Sequence, residues 1–579
     1  MTFPAKWIIG LALGLSSNST LKKSPLHRCG ISLNIIWDIC LVINTVNLCT
    51  INGLSPFKRM KIQILLFLFV FQVTGSFATP STIDPRPRII ITADPELDDN
   101  NSLIRFLLYS SEFRVEGLVY ASSQFHWKGD GKGTKFMVPG REYTRYGLNL
   151  CPCTSYRWRE DERFIHDAVN AYEKVYPNLI VHDRSYPAPA ALRNKIRYGN
   201  IEFEGDFSKE TEGSELIRAA IMDEVPGPLF ITAWGGMSTI ARALRSIEER
   251  YAKTPEWDAV QKKVSSKVVL LPSGDQDGTY ESYIKPRWPG IDYRQYRNGP
   301  NYGYGAQLVA TAANAPLLTA AWMTEHITGK GPLGALYRVW GDGRQMVKED
   351  RFDYFGMSGY TSEQLKQMGY IVWMPVQEKG SWLGEGDTGT FMNILSNGLE
   401  AWEQDTPGGW AGRPFHPDPK TYVDPFSNDT TRKDLVISET TLRAMDRQAA
   451  TPFPDFFPAA QLDFAARMKW SVAARFADAN HAPVVKTKGA SVLRASPGAT
   501  LKLTASVKDP DGDALELKWW QFLRPGQSAV LEFGSPGAAT TSVHIPSGTP
   551  VGQTFEVVLE VKDQRDISMS RYQLIRIKL

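Results

Sequence analysis

Cysteine is scarce in this chain, with five residues in 579. Three of them, Cys29, Cys40 and Cys49, lie in the leading segment, and Cys151 and Cys153 follow it. A disulfide framework is therefore excluded as the main source of stability, since a chain of this length buries enough apolar surface without one. The Cys-Pro-Cys triplet is too cramped for an easy mutual disulfide and has no second ligand pair nearby at zinc spacing, so we expect two packed thiols.

Net charge is also small. The formal net charge is +3, and 22% of the residues are charged while 42% are hydrophobic, which excludes a mainly disordered chain. Residues 1–78 hold seven Lys and Arg residues and one Asp, so residues 79–579 carry a formal charge of −3. This mildly acidic balance argues against a basic surface for nucleic acid, and we expect no nucleic acid partner.

A long hydrophobic run is missing from the leading segment as well. The apolar stretch at 62–73 is too short for a comfortable membrane span. It follows the basic residues of 58–61 and precedes the small residues Ser76 and Ala78, which is the pattern of a secretory signal peptide. We interpret residues 60–78 as that signal peptide and residues 1–59 as upstream sequence translated from too early a start codon. A secreted or periplasmic protein without a stable membrane span is expected, and a membrane anchor is the alternative.

Apolar runs alternate with helical patterns through residues 79–403. The runs predict buried strands at 88–93, 115–121, 179–182, 228–234, 267–273 and 370–375. Helical periodicity predicts helices at 102–110, 163–175 and 238–251. This alternation is typical of an α/β domain with a doubly wound, mostly parallel sheet.

The pattern changes after residue 403. Residues 404–481 begin rich in Pro, Asp and Gly and then contain an apolar helix at 462–478, so we interpret them as a linker and a packing helix. Short alternating strands over 482–579 predict an immunoglobulin-like β-sandwich, and its DPDGD turn at 509–513 fits a simple β-turn better than a calcium loop. Trp519 and Trp520 fall on opposite faces of one predicted strand, so one belongs in the core and the other at the surface or a domain interface.

The most informative stretch is the acidic motif after the first predicted strand. Asp94, Glu96, Asp98 and Asp99 crowd within six residues at the carboxyl end of that strand, where doubly wound sheets bind ligands. Their mutual repulsion is costly unless a cation offsets it, and hard oxygen ligands favour Ca²⁺ or Mg²⁺ over Zn²⁺. For a single Asp, capping of the following helix is the alternative. Three aspartates together favour a metal site.

Three stretches resemble motifs of calcium-dependent nucleoside hydrolases and occur in that family's order. ADPELDD at 93–99 resembles Asp-Pro-Gly-x-Asp-Asp, and WGGMSTIA at 234–241 resembles a Gly-Gly-Leu-Thr-Asn-Ile-Ala turn that enters a helix. GEGDTGTF at 384–391 resembles the family's late Asp at a helix start. The sequence around the first motif is similar to that of the nucleoside hydrolase-like family described as cellulose-binding. That family pairs such a domain with a C-terminal β-sandwich. The resemblance covers nearly all of residues 86–579.

The resemblance implies a bound Ca²⁺ and assigns roles to its ligands. It implies that Asp94 and Asp99 bind the ion, that Asp98 faces the metal or the sugar hydroxyls, and that the carbonyl of Trp234 is a main-chain ligand. Asp387 would close the site from the far side. Asp94 would also be the general base on the water that attacks an anomeric carbon.

Further polar and aromatic residues lie near predicted strand ends and are candidate sugar contacts, because those ends face one crevice. The candidate sugar-binding residues are Asp98, Gln124, His126, Trp127, Asp275, Gln276, Asp277 and Glu385. An Asp-rich turn is an equal alternative for 275–277. His126 and His326 are candidate proton donors to the leaving group, and packed histidines are the alternative for both.

Departures from the family motif bear on the substrate. Thr92 stands where the family has its leading Asp, Glu96 where it has Gly, and Gly386 where many nucleoside hydrolases have His. The Asn that often follows the second strand is replaced within Ser122-Ser123-Gln124. The metal side of the motif is kept and the base-recognition side differs, which disfavours a nucleoside.

We therefore predict a secreted, calcium-dependent, hydrolase-like protein that acts on or binds a carbohydrate or glycoside. The first alternative is a non-catalytic protein on the same fold that binds cellulose or another polysaccharide. The second is a true nucleoside N-ribohydrolase. Formation of a homo-oligomer is left open.

Overall fold

The structure is a computed structural model that describes residues 84–144, 147–424 and 452–579. The predicted upstream segment and signal peptide, residues 1–78, lie outside the described residues, as does part of the predicted linker at 425–451. Among the described residues, no helix combines the length and the apolar character needed to cross a bilayer.

A six-stranded parallel sheet forms the centre of the first domain, with the strand order β3-β2-β1-β4-β5-β6. Its strands are β1 Arg88–Ala93, β2 Arg114–Tyr120, β3 Ile196–Tyr198, β4 Leu229–Ala233, β5 Val268–Pro272 and β6 Asp292–Tyr293. A small antiparallel pair, β7 Gln295–Arg297 and β8 Arg413–Phe415, lies outside this sheet. The predicted α/β fold with a parallel sheet is confirmed.

Helices cover both faces of the sheet. They are α1 Leu97–Tyr109, α2 Phe164–His182, α3 Pro189–Arg193, α4 Glu212–Met222, α5 Ser238–Tyr251, α6 Trp257–Lys267, α7 Lys285–Arg287, α8 Ala306–Val309, α9 Ala320–Met323, α10 Gly331–Leu336, α11 Ser362–Gln367, α12 Gly389–Met392 and α13 Phe457–Trp470. Ile89 and Ile91 of β1 pack in the core shared with α1 and α2, whereas Ile90 packs in the opposite core with α4 and α5. The central strand is therefore buried on both sides, which explains its continuous apolar run.

Two predicted strands are wrong. Residues 179–182 form the last turn of α2, where Leu179 and His182 are buried and Val181 is exposed, as helical spacing requires. A short apolar run does not by itself distinguish helix from strand. Residues 370–375 form no strand, and within them the backbone amide of Met374 donates to the Tyr354 hydroxyl (2.7 Å) while the Met374 carbonyl accepts from that hydroxyl (2.6 Å).

The expectation of two free thiols at Cys151 and Cys153 is also wrong. The structure joins them in a disulfide, with the Cα atoms 4.4 Å apart, within the range that disulfides span. The peptide bond between Cys151 and Pro152 is cis. The two cysteines pack with Trp127, Tyr143 and other rings in a small separate cluster.

Two four-stranded sheets make up the C-terminal domain, with the orders β10-β16-β15-β12 and β13-β14-β11-β9. The strands are β9 Val484–Thr487, β10 Val492–Arg494, β11 Thr500–Lys508, β12 Leu515–Phe522, β13 Glu532–Phe533, β14 Thr540–His544, β15 Thr554–Asp563 and β16 Ser570–Lys578. The predicted β-sandwich is confirmed. Trp519 packs in the core of the sandwich, and Trp520 on the other face packs against the first domain beside Phe456.

The sandwich and the first domain share one hydrophobic core. Phe522, Val558 and Tyr572 of the sandwich belong to the cluster that also contains α1 and α13. The backbone of Tyr572 donates to the carbonyl of Asn397 (2.8 Å). Helix α13 lies against α1, where the Arg467 guanidinium pairs with Glu112 (2.6 Å). The two domains therefore form one continuous packed body.

Candidate metal centre

The candidate site lies where the strand order of the parallel sheet reverses. Strands β1 and β4 are neighbours, and the chain runs outward from them in opposite directions. Asp94 follows β1 directly and Trp234 follows β4. In doubly wound sheets, the crevice outside the carboxyl ends of two such strands is the usual place for a ligand.

Asp94 is buried at the centre of this crevice. Its Oδ2 accepts hydrogen bonds from the Ser123 hydroxyl (2.5 Å) and from Nδ1 of His126 (3.0 Å). Its Oδ1 is buried and has no hydrogen-bond partner. A carboxylate oxygen removed from water without a partner is costly, so this atom marks a position where a positive group is expected.

Three further carboxylates surround Asp94. Asp99 accepts a hydrogen bond on Oδ1 from the backbone amide of Asp94 (3.0 Å), and this bond ties the start of α1 to the end of β1. Asp387, just before α12, accepts from the Ser273 hydroxyl (2.5 Å). Asp98 is half-buried and accepts from the Tyr304 hydroxyl (3.2 Å). Residues distant in sequence thus come together at this edge of the sheet, where Asp387 interacts with Asp98 and Asp99.

Burial and mutual repulsion disfavour the charged forms of these acids. Burial raises the pKa of Asp99 well above its ordinary range, and the nearby Asp387, Asp94 and Asp98 raise it further. Burial likewise raises the pKa of Asp387, with Asp98 adding to the effect. The pKa of Asp98 rises to about 6, chiefly through burial, although the hydrogen bond from Tyr304 opposes the rise. The cluster has more negative charge than its protein surroundings offset.

The side chain of Glu96 belongs to the same cluster. One carboxylate oxygen of Glu96 lies with oxygens of Asp98 and Asp99 in a group of atoms within 4.8 Å of one another. Burial raises the pKa of Glu96, and the charges of Asp98 and Asp94 raise it further. Its side chain keeps 21% exposure, so Glu96 and Asp98 line the side of the cluster that is open to solvent.

Cations do not neutralise the cluster. Among the described residues, no Lys or Arg pairs within 4.0 Å with any of the four aspartates, and the salt-bridge partner of Asp94 is His126. Burial lowers the pKa of His126, as does the nearby Arg157, so its imidazole is neutral at pH 7. Arg157 itself pairs with Asp350 (2.7 Å). The donor set of carboxylate oxygens with one orphaned atom suits a hard divalent cation.

Two glycines make room for these carboxylates. A Cβ added at Gly235 would lie 2.7 Å from Oδ1 of Asp94, and one added at Gly386 would lie 2.3 Å from Oδ2 of Asp98. Any side chain at either position would displace an acid of the cluster. The departure at Gly386 thus has a physical reason, because the carboxylate of Asp98 occupies the space beside it.

The carbonyl of Trp234 is also at the site, and it accepts a hydrogen bond from Nε2 of Gln276 (2.6 Å). The other side-chain atom of this amide, Oε1, is buried without a partner. The backbone amide of Gln124 in turn donates to the carbonyl of Gln276 (3.2 Å). Gln124 and Gln276 therefore lie next to the predicted main-chain ligand.

Asp275 and Asp277 accept hydrogen bonds from nearby backbone amides. Asp275 accepts from the amides of Tyr280 (3.0 Å) and Glu281 (3.1 Å). Asp277 accepts from the amide of Ser238 (2.9 Å) at the start of α5. These hydrogen bonds account for both oxygens of Asp275 and fit the alternative of an Asp-rich turn.

Glu385 and Trp127 are fully enclosed and do not face the cluster. Glu385 pairs with Arg105 (2.5 Å), accepts from the Tyr337 hydroxyl (2.5 Å) and has no exposed surface. Trp127 is buried among the rings that pack with the two cysteines. Both side chains are surrounded by protein groups in this structure, and their contact with a sugar stays a prediction.

Sequence reasoning did not single out the hydroxyl groups around the acids. Ser123, Ser273 and Tyr304 each donate to one aspartate of the cluster. Ser123 lies two residues after the predicted strand 115–121, and Ser273 is the last residue of the predicted strand 267–273. The rule that strand ends face one crevice was therefore the available signal. Thr92 lies outside the cluster, since its hydroxyl donates to the carbonyl of Thr232 (2.9 Å) between two strands.

Comparison with known proteins gives two matches to protein families. Residues 88–414 match the model described as "Cellulose-binding Sde182, nucleoside hydrolase-like domain". Residues 500–579 match "Cellulose-binding protein Sde0182, C-terminal domain". No curated protein matches the chain.

One solved structure is similar over most of the chain. It is described as a nucleoside hydrolase-related hypothetical protein from Saccharophagus degradans that is associated with carbohydrate metabolism. The identity is 22%, the TM-score is 0.56, and the match covers 85% of this chain and 99% of the other. At this identity the likeness concerns the fold.

Proposed function

Because the chain belongs to the Sde182 family of nucleoside hydrolase-like proteins, we propose that it binds a carbohydrate or glycoside through a divalent cation and hydrolyses it at an anomeric carbon. The cation is calcium, and the site is the acidic cluster at the carboxyl edge of the parallel sheet. The observation that carries this proposal is the buried, unpartnered Oδ1 of Asp94 among acids that no Lys or Arg of the described residues pairs with.

The residues present fit a calcium ion. Asp94, Asp98, Asp99 and Asp387 would hold it, and the carbonyl of Trp234 would join them once the Gln276 amide turns away. When bound, calcium supplies the positive charge that offsets these carboxylates and coordinates sugar hydroxyls. The positive charge of a bound ion would also weaken the repulsion among these carboxylates and so lower the raised pKa values of Asp98, Asp99 and Asp387.

Asp94 is arranged to accept a proton from water. The hydrogen bonds from Ser123 and His126 both reach Oδ2, so they fix the carboxylate plane and leave Oδ1 available. A neutral His126 that donates from Nδ1 holds Asp94 in place without taking the proton itself. Asp94 is then the general base: it takes a proton from the water that attacks the anomeric carbon. The bond from that carbon to the leaving group breaks, and the leaving group departs with the electron pair and takes a proton from solvent.

Sugar hydroxyls would meet the open side of the cluster. Asp98 and Glu96 are the half-buried acids there, and the Tyr304 hydroxyl donates to Asp98. The Tyr304 ring stacks on Phe355 (5.0 Å between ring centroids) and packs against Trp373, so the hydroxyl is held in place. Carboxylates are good acceptors for vicinal hydroxyls, which suits a saccharide better than an apolar ligand.

The activity is tested with the mature protein on a panel of aryl glycosides, oligosaccharides and nucleosides, with calcium and with EDTA. We expect turnover of at least one glycoside that EDTA abolishes and that Asp94→Asn lowers by about a hundredfold or more. Asp161→Asn, at an acid whose side chain is 87% exposed, is the matched control and keeps wild-type rates. Turnover that neither EDTA nor Asp94→Asn changes would overturn the mechanism.

A second candidate function is polysaccharide binding without turnover. It is favoured by the state of His126, a candidate proton donor, because this histidine is bound to Asp94 and burial lowers its pKa. Retention of the full chain on insoluble cellulose, with no product from the whole panel, would favour this alternative. Rapid hydrolysis of inosine or uridine would instead support a true nucleoside hydrolase.

The proposal includes export from the cytoplasm, on the strength of the signal-peptide pattern at 60–78. Expression of the full sequence in a secreting host and sequencing of the mature N-terminus tests it. A mature chain that begins after Ala78 is expected. One that begins before residue 60 would contradict it.

A further inference from the structure

A second acidic cluster lies in the sandwich, in the turn that joins β11 to β12. Asp509, Asp511 and Asp513 each place one carboxylate oxygen in a group of atoms within 4.8 Å of one another. Oδ1 of Asp509 accepts from the amides of Asp511 (2.8 Å) and Asp513 (3.0 Å), which closes the turn. One oxygen of Asp509 is therefore sufficient for the β-turn that the sequence predicted.

The second oxygen of Asp509 has no role in the turn. Oδ2 is buried without a hydrogen-bond partner, on a residue that is 7% exposed. A surface turn held only by its own hydrogen bonds leaves such an oxygen in water. Here the oxygen is withdrawn from water, as expected of an atom that binds a cation.

A fourth carboxylate reaches the turn from another strand. Asp563 ends β15 opposite Leu515, directly after the turn in the strand pairing. Its Oδ2 accepts from Asn480 Nδ2 (2.9 Å) and from the amide of Met569 (3.0 Å), while its Oδ1 is buried and unpartnered.

Asn480 supplies a further unpartnered oxygen next to this cluster. Its Oδ1 is buried without a partner, although its Nδ2 donates to Asp563 and to the carbonyl of Ile567 (2.9 Å). The following residue, His481, donates its amide to Asp511 (2.8 Å). Asp509, Asp563 and Asn480 thus each carry one buried, unpartnered oxygen, and Asn480 and Asp563 are hydrogen-bonded to each other.

The positive groups that face the cluster offset only part of its charge. Arg565 pairs with Asp513, and this pair is partly exposed. Nδ1 of His481 contacts Asp511 (3.0 Å). Among the described residues, one arginine therefore pairs with a group of four carboxylates.

We propose that this cluster is a second calcium site, formed by Asp509, Asp511, Asp513 and Asp563 with the side-chain oxygen of Asn480. Five oxygen donors, four of them charged, match the preference of Ca²⁺ for hard ligands in flexible loops. The site is separate from the carbohydrate site and does not depend on it.

The second site has a structural role because it joins two parts of the chain. Asn480 and His481 belong to the segment between α13 and the sandwich, whereas the four acids belong to the sandwich. That segment is anchored to the first domain, since the Asn480 carbonyl accepts from Trp470 Nε1 (2.7 Å) and His481 contacts Nδ1 of His182 (2.9 Å). A bound ion therefore fixes the sandwich to this segment and, through it, to the first domain.

The test is a calcium titration of the full chain, first stripped with EDTA, by isothermal titration calorimetry and by thermal unfolding. In the Asp94→Asn background, which removes the carbohydrate-site contribution, we expect one remaining binding event and a rise of melting temperature with calcium. Asp509→Asn in that background keeps the Oδ1 acceptor of the turn but should weaken the remaining event by at least about tenfold. Asp563→Asn should do the same.

Asp566→Asn is the matched control, because it removes one negative charge from an exposed residue of the adjacent loop outside the cluster. It should leave affinity and the calcium-dependent melting shift unchanged. Hydrogen exchange of the amides at 479–482 should slow on calcium addition in the Asp94→Asn protein and not in the Asp509→Asn double variant. Absence of any calcium binding in the Asp94→Asn protein, or full binding in both double variants, would overturn the proposal.

Discussion

The two ends of the central strand β1 carry charge in opposite ways. At the amino end, Arg88 pairs with Glu116 (2.9 Å) and Asp223 (2.6 Å), and Lys267 also pairs with Asp223 (2.5 Å). At the carboxyl end, Asp94 begins a cluster of acids that no Lys or Arg of the described residues contacts within 4.0 Å. One strand of six residues separates these two groups. Positive and negative charges balance at its amino end, and negative charge is in excess at its carboxyl end.

The difference separates a structural network from the proposed binding site. Burial alone would raise the pKa of Asp223, but hydrogen bonds from Arg88 and Lys267 outweigh it and lower that pKa to about 2. Burial raises the pKa of Asp98 to about 6, where the hydrogen bond from Tyr304 does not outweigh it. Charges that partners stabilise support the fold, whereas charges without partners reduce stability until a ligand supplies the counter-charge.

The largest expected effect on stability comes from removing the ion pairs at the amino end of β1. Arg88→Ala leaves Glu116 paired with Arg114 and Lys195 and leaves Asp223 paired with Lys267, but it removes an arginine whose side chain is 5% exposed and bridges the two acids. We expect a loss of about 2–3 kcal/mol in the free energy of unfolding, measured by urea denaturation. Arg88→Lys keeps the positive charge but loses the paired hydrogen bonds to Asp223, so it should lower the free energy of unfolding by less than Arg88→Ala. A loss under about 1 kcal/mol for Arg88→Ala would show that this network does not support the fold.

The opposite sign is expected at the unbalanced end. Asp387→Asn in EDTA removes one repelled, buried charge and keeps an acceptor for Ser273, so the metal-free protein should gain about 1–2 kcal/mol at pH 8. The raised pKa of Asp387 means that the native carboxyl reduces stability as pH rises above the ordinary aspartate value, so the gain should shrink toward pH 4. Urea denaturation at both pH values measures it. Destabilisation at pH 8 would contradict the comparison.

A smaller change tests the space around the acids. Gly386→Ala places a methyl group 2.3 Å from Oδ2 of Asp98, so Asp98 has to move and calcium affinity should fall about tenfold, or about 1.4 kcal/mol. Gly389→Ala, three residues later in α12, meets no atom within 4 Å and is the matched control. Calorimetry of both variants in the Asp509→Asn background isolates this site. Equal affinities would show that Asp98 takes no part in binding.

The smallest effect concerns Asp223, and it depends on pH. Its lowered pKa contributes stability that is present above about pH 4 and is lost as pH falls toward 2, so Asp223→Asn should cost about 1 kcal/mol at pH 7 after allowance for solvent screening. The cost should disappear near pH 2. Glu224→Gln, at a neighbouring acid whose side chain is 92% exposed, should change nothing measurable. A pH-independent cost for Asp223→Asn would point to packing instead of charge.

Much of the fold was predictable because local patterns and topology agree in it. The apolar runs of β1, β4 and β5 are fully buried, and their spacing with helices fixes a parallel sheet. The two wrong strands were short runs without partners: 179–182 continues a helix, and 370–375 pairs with a tyrosine hydroxyl. Which partner such a short apolar run finds depends on the tertiary structure and cannot be read from the local sequence pattern.

The candidate site was predictable at its centre and less so at its rim. Asp94, Asp98 and Asp99 are neighbours in the sequence, so their grouping was visible there. The family resemblance added Asp387, which lies nearly 300 residues after Asp94. The inward or outward direction of Glu385 was not predictable, because its partner Arg105 is remote in sequence. The hydroxyl donors around the acids were not identified for the same reason.

The most direct test of the account is a crystal structure of the mature protein grown with millimolar calcium. We expect density for a cation at about 2.3–2.6 Å from carboxylate oxygens of Asp94, Asp99 and Asp387, at the edge where β1 and β4 end. A cluster that stays empty in calcium while these acids keep their present positions would contradict the account.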